Sequence, residues 1–238
     1  MPPVVRVLFP YRVRQDGSRY TAQVIPPSEM KSRYPGAWAW LDHNKESLSK
    51  RKMGRSGNPL WYQYGRTQAL ASFENRPKLV VGVLSKGDKY VYDDGDVLLA
   101  SGGTAGECAV APARESPTPY DLFFVQAVLS SKAAEYFCRK RGSPFQGEGW
   151  FARGTAVLSD LPLPHIDFSS DNDRRWTHDA IAADARKLNR LYTQLPKQVG
   201  RTSAQTEADI RSTTARMHNR VHELYGVDAL VSSIALPS

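Results

Sequence analysis

Leu60-Trp61-Tyr62-Gln63-Tyr64-Gly65-Arg66, followed by Lys78-Leu79-Val80-Val81, stands in the most basic part of a 238-residue chain. The aromatic-rich piece reads as a strand, with the second, apolar piece as another strand of the same domain. Residues 45–89 hold ten Lys/Arg and three Asp/Glu, a surplus of +7 in a formal total of +8. Such a local excess points to a polyanionic partner. In that reading lysines and arginines meet phosphates while Arg66, Gln63 or Tyr64 reach base edges or stack. An aromatic-rich strand on a solvated basic face explains the same residues without a ligand.

Composition sets the outer limits. The chain is long enough for one large domain or for one domain with an appendage, and 41% hydrophobic and 10% aromatic residues exclude wholesale disorder. Cys108 and Cys138 are the only cysteines, so there is no disulfide framework. The longest apolar run, Leu122 to Leu129, is too short to span a bilayer. The first residues lack a signal peptide's basic start and long apolar centre, so a cytoplasmic location without membrane partners is expected.

In chain order, residues 4–13 read as a strand broken at Pro10, Asp16-Gly17 as a turn, and Tyr20 to Ile25 as a second strand, ended by Pro26-Pro27. From Pro35 to Arg51 the period becomes helical, with Ala37, Leu41, Asn44 and Leu48 on one face. Lys50, Arg51 and Lys52 crowd its C-terminus, where they suit both the helix dipole and phosphate contact. A basic loop containing Gly54, Arg55, Gly57 and Asn58 leads into the aromatic strand. Lys78–Leu84, Lys89–Asp93, Asp96–Ser101 and Glu107–Ala111 then suggest a β-meander. A capping box at Thr118–Asp121 opens a buried helix that runs to Gly142, ending in Arg139, Lys140 and Arg141. Residues 142–154 read as a long irregular loop of the kind that often carries recognition.

After Leu161-Pro162-Leu163-Pro164 and an Asp-rich stretch at 167–175, two seams repeat the same spacing. Ile181, Ala185, Leu188, Tyr192 and Leu195 form one; Ile210, Thr214, Met217, Val221 and Leu224 form the other. Each is two heptads, roughly 20 Å at about 1.5 Å per residue, and an antiparallel helical hairpin is the economical arrangement. Thr206 with Asp209 is read as the second helix's cap and Gly226 as its stop. The hairpin either packs on the domain or holds another chain, including a second copy, at a fixed distance.

Catalytic motifs are missing. Asn58-Pro59-Leu60-Trp61 fails the Asn-Pro-Pro-aromatic pattern of amino methyltransferases, and Gly102-Gly103-Thr104-Ala105-Gly106 fails G-x-G-x-x-G spacing. Asp16, Glu29 and Lys31 match a metal-nuclease pattern only by placing the second acid after Pro26-Pro27, and are discounted. His218 and His222, one helical turn apart, have no identifiable third ligand and read as a surface pair. No catalytic residue, metal ligand or cofactor site is assigned.

Several segments together resemble the TaqI-like C-terminal specificity, or target-recognition, domain of adenine-specific DNA methyltransferases, especially the fused type IIG restriction-modification enzymes. They are Leu8-Phe9-Pro10-Tyr11, Tyr34-Pro35-Gly36-Ala37-Trp38 with Leu41 through Leu48 to Arg51, and Trp61 to Arg66. Lys78-Leu79-Val80, Gly102-Gly103, Val128 to Lys132, Leu161 to Pro164 and Val221-His222-Glu223-Leu224-Tyr225-Gly226 follow in the same order. The resemblance implies an α+β fold: a mixed, mostly antiparallel sheet with packed helices, then a helical hairpin. Its expected organisation is a recognition domain over 1–166, a linker over 167–175, a helical spacer over 176–226 and a tail over 227–238. The implied function is sequence-specific binding of double-stranded DNA for a modification enzyme. S-adenosylmethionine is then expected on a methyltransferase subunit or domain, because this chain starts at the specificity domain. The expected DNA-contacting set is Lys50, Arg51, Lys52, Arg55, Gln63, Tyr64, Arg66, Lys78, Lys86, Arg139, Lys140, Arg141 and Arg153. An RNA-binding or scaffold module working through the hairpin is the competing expectation.

Overall fold

The computed structural model describes residues 7–16, 19–51, 58–65, 70, 76–86, 90–95, 97, 106–113, 118–144, 150–197 and 200–227. The expected α+β class is observed, with small antiparallel sheets, short helices and a C-terminal pair of long helices. The chain divides into two compact units, Met1–Glu74 and Asn75–Ser238. This boundary falls inside the stretch expected to form one recognition domain.

In the first unit β1 (Tyr11–Asp16) and β2 (Arg19–Val24) pair antiparallel, Tyr11 opposite Val24 and Asp16 opposite Arg19. Pro26-Pro27 ends the hairpin but also starts a helix absent from the sequence reading. Pro27 occupies the first turn of α1 (Pro27–Arg33), where its missing N–H costs nothing. Pro35 does the same for α2 (Pro35–His43), and the following helical stretch breaks at Asn44 before α3 (Lys45–Ser49). The core gathers Ile25, Met30, Leu41, Trp61 and Tyr62.

Leu60–Gly65 is not a strand. Pro59 to Tyr62 form a turn: the Asn58 side chain accepts from the Leu60 N–H at 2.9 Å, and the Gln63 N–H donates to the Leu60 carbonyl at 3.0 Å. Trp61 and Tyr62 are neighbours in sequence and both are buried, whereas a strand would point them to opposite faces. Turn geometry lets both enter the same core.

In the second unit β3 (Lys78–Gly82) lies between β5 (Tyr90–Asp93) and β6 (Glu107–Val110), both antiparallel to it. Among the described strands the order β5-β3-β6 replaces the expected meander; of its expected Asp96–Ser101 strand, all but Val97 lies outside the described residues. A separate pair joins β4 (Leu84–Lys86) to β7 (Trp150–Ala152), placing a strand in the expected irregular loop. The expected long helix is two: α4 (Leu122–Leu129) and α5 (Lys132–Arg141). Ser131 divides them, its hydroxyl donating to the Val128 carbonyl at 2.7 Å and accepting the Ala134 N–H at 3.2 Å as the cap of α5. The Asp121 carboxylate, rather than a Thr118 capping box, caps α4 through the Phe123 N–H at 2.8 Å. At Gly142 any side chain would run into the carbonyl oxygens of Cys138 and Ala152, so glycine is required there. A further short helix, α6 (Thr155–Ser159), precedes the proline-rich stretch.

α7 (Asn172–Gln194) and α8 (Arg201–Tyr225) form the hairpin, α8 ending at Gly226 in the left-handed conformation, φ 65°. Ile181, Ala185, Leu188, Ile210, Met217 and Val221 are buried as their spacing requires. Tyr192 instead faces solvent, with the partly buried Leu191 packed in its place, and Thr206 lies buried within α8 rather than capping it. The carboxylate of Asp184 ties the two helices together, accepting from Arg216 Nε at 3.1 Å and Arg220 Nη1 at 2.7 Å.

The hairpin packs on α4. Phe124, Ala127 and Val128 share one core with Ile181, Ala185, Met217 and Val221, while Leu122, Val125 and Leu129 pack with Leu79, Val81 and Tyr90 of the sheet. A helix between two layers must be apolar nearly all round, which is the pattern of Leu122 to Leu129.

His218 and His222 are not a surface pair: His222 is 6% exposed and His218 half-buried. Burial, then the neighbouring His222 and Lys132, pull the His218 imidazole from 6.5 down to about 4. A folded-state pKa below the unfolded value gives stability that is complete above pH 6.5 and is lost as pH falls from there toward 4. His218→Asn is expected to flatten the decline in melting temperature between pH 7 and pH 4.5, measured by thermal scans on both proteins; parallel curves would contradict this.

Candidate nucleic-acid interface

The first unit carries twelve Lys/Arg against five Asp/Glu, +7, whereas residues 75–238 carry twenty against nineteen, +1. Among the described residues the unit holds two aromatic clusters, and two of its lysines lie over the first. Trp38, Trp61 and Tyr62 meet edge-to-face with centroids 5.4–6.0 Å apart, and the Tyr62 hydroxyl donates to the Ile25 carbonyl at 2.5 Å. Burial, then the nearby Tyr11, push the Tyr62 hydroxyl up to about 12. The Lys31 ammonium lies 5.2 Å from the Trp38 ring and that of Lys45 5.6 Å from the Trp61 ring, both on exposed residues. These two cations were not assigned from sequence. Lys45 and Trp61 meet only through the tertiary fold, so no local spacing signals the contact.

The second cluster is Phe9, Tyr11 and Tyr64, with centroids 5.2–6.0 Å apart. The Tyr64 hydroxyl donates to the Leu8 carbonyl at 2.5 Å, and its N–H donates to the Tyr11 hydroxyl oxygen at 2.6 Å. Tyr64 therefore fixes the turn against the first strand. Arg51 holds the other side, donating through Nε to the Leu48 carbonyl and through Nη2 to the Gln63 carbonyl, both at 3.1 Å. Gln63 itself is half-buried, and its side-chain amide has no partner among the described residues. Lys50 is exposed and pairs with Glu46 at 2.8 Å, an i,i+4 pair in solvent worth only a few tenths of a kcal/mol, about 0.3–0.5. Lys52, Arg55 and Arg66 lie outside the described residues, as does the side chain of Lys86. Glu29 pairs with Arg12 and Arg33, and among the described residues no group of three His/Cys/Asp/Glu could hold a metal.

Two expected phosphate contacts in the second unit are instead internal. Lys78 is 4% exposed and pairs with Asp93, directly opposite it in the β3–β5 register. Arg153 is fully buried and pairs with Glu135 through two guanidinium nitrogens, Nη2 at 2.7 Å. Burial raises the Glu135 carboxyl, but Arg153 and Arg139 outweigh it and hold the group below its ordinary value. Arg139 donates to Glu135 at 2.6 Å and lies over Phe151, and Arg141 pairs with Asp160. Lys140 is exposed, lies over the Tyr136 ring at 5.4 Å and has no carboxylate partner among the described residues.

Against this geometry the comparison with known proteins is specific. Over 232 residues the chain is 34% identical to the type II restriction enzyme and methyltransferase RM.Eco57I of Escherichia coli, covering 96% of this chain and 22% of that protein. No family model matches the chain. The chain is thus related to a segment of a restriction-modification enzyme, of which it spans about a fifth of the length. Among the described residues no helix is long and apolar enough to cross a membrane.

Proposed function

We propose that this chain selects the DNA sequence on which a restriction-modification enzyme acts. It would be a TaqI-like target-recognition segment of the type IIG kind, binding double-stranded DNA beside an adenine methyltransferase domain that carries S-adenosylmethionine. The observation that carries the reading is the similarity to a restriction enzyme and methyltransferase along 96% of the chain. Concentration of nearly all the net positive charge in the first unit, +7 of +8, supports it, because phosphate contacts require cations that nearby carboxylates do not offset. In this reading Lys31, Lys45 and Lys50 meet the backbone. Gln63, held by Arg51 through its carbonyl and with no partner for its amide among the described residues, reads a base edge together with Arg66. Lys78 and Arg153 are assigned to the fold rather than to phosphates.

The test is direct titration of the purified chain with duplex DNA and with duplex RNA of one sequence at several salt concentrations. Tighter binding to DNA, falling linearly on a log–log plot against salt, is expected. Equal affinity for both duplexes, or binding indifferent to salt, would return the chain to the RNA-binding or scaffold reading.

A further inference from the structure

The second unit has a surface feature that the basic-patch reading does not use. α7 lies beside β5 and α4 so that Tyr92, Phe123, Arg186, Asn189, Arg190 and Thr193 line an open groove of about 420 Å³. Tyr92 and Phe123 stack with centroids 4.2 Å apart and an interplanar angle of 26°. The Arg186 guanidinium covers Phe123 at 4.8 Å and pairs with Asp121, so its plane is held in place with donors to spare. Asn189 is locked beneath, donating to Gln126 Oε1 and to the Ala185 carbonyl, each at 2.8 Å, and Gln126 in turn donates to the Tyr90 carbonyl at 2.8 Å. Arg190, one helical turn beyond Arg186, is exposed and has no carboxylate partner among the described residues.

We infer that this groove binds one phosphodiester linkage of a DNA strand, with Arg186 and Arg190 on the phosphate oxygens and the sugar against Tyr92. A planar guanidinium fixed by a carboxylate and a ring is already oriented, so little side-chain freedom is lost on binding. The second, uncompensated guanidinium supplies the net positive charge that an anion needs. The groove is open, which suits a polymer passing through it better than an enclosed small ligand. The inference rests on the duplex-DNA reading above and adds to it a contact in the nearly neutral unit.

The experiment is titration of the full chain with a 30-bp duplex, a probe length of about three helical turns at ~10 bp each, comparing wild type, Arg190→Glu, Arg190→Lys and Arg211→Glu over a range of salt. Arg211 is an exposed arginine of α8 outside the groove and controls for the change in net charge. Arg190→Glu is expected to weaken binding about tenfold at low salt and to reduce the salt slope by about one. Arg190→Lys should retain most of the affinity, Arg211→Glu should bind like wild type, and all four melting temperatures should agree. Wild-type affinity and slope in Arg190→Glu, or an equal loss in Arg211→Glu, would overturn the groove while leaving duplex recognition intact. Absence of salt-dependent duplex binding by the wild type would remove both.

Discussion

Arg153→Met is expected to lower the melting temperature of the second unit by on the order of 10 °C, because one partner of a buried ion pair is removed and Glu135 is left in the interior, a loss of about 3–5 kcal/mol. Arg139, still on Glu135 at 2.6 Å, places the loss at the lower end of that range. The double replacement Glu135→Leu with Arg153→Met should recover most of it, since matched apolar side chains avoid the desolvation that the ion pair suffers. Calorimetry on the three proteins checks this, and a single variant as stable as wild type would contradict it. The pair also sets an acid limit. Glu135 has a folded-state pKa below its ordinary 4.5, so its contribution is complete above that pH and is lost as pH falls through the lower folded value.

The second large effect concerns binding. Lys31→Ala with Lys45→Ala is expected to weaken duplex DNA binding about a hundredfold at low salt and to reduce the salt slope by about two, following one released counterion per phosphate contact. Loss of the two cation–π contacts costs about 0.5–1 kcal/mol each at exposed sites, which in a unit of this size lowers the melting temperature by roughly 4–8 °C per kcal/mol, so titrations are run well below it. Anisotropy titrations beside thermal scans separate the two consequences. Unchanged affinity would take the Trp38–Trp61 face out of the interface.

Periodicity and charge made some of this visible from sequence and hid the rest. The hairpin was legible because Ile181, Ala185 and Leu188 repeat at helical spacing and are buried as that spacing demands. The turn at Leu60–Gly65 was not, because three aromatics in five residues imitate a strand; only the tertiary burial of adjacent Trp61 and Tyr62 distinguishes it. Pro26-Pro27 carries two signals at once, stopping a strand and opening a helix, and the second is hidden in the sequence because α1 is only seven residues long. For the candidate site, the concentration of cations in one region was legible but not their individual partners. Arg153 and Glu135 are eighteen residues apart on different elements, so an arginine in a glycine-rich stretch looks like surface until the fold closes. Lys78 could have been found: pairing Lys78–Val81 with Tyr90–Asp93 sets its ammonium directly opposite a carboxylate.

The sharing of one core by α4 and the hairpin has a consequence for the order in which the protein forms during synthesis. The cluster of Ile25, Met30, Leu41, Trp61 and Tyr62 in the first unit has left the ribosome before α4 is made, so that unit can close early. Phe124 and Val128 must wait for Met217 and Val221, some ninety positions later, and until then the apolar hairpin-facing side of α4 is uncovered. Contacts of such sequence separation form slowly and leave apolar surface open to association in the interval. The nascent second unit, rather than the basic first one, is therefore the part whose folding calls for protection.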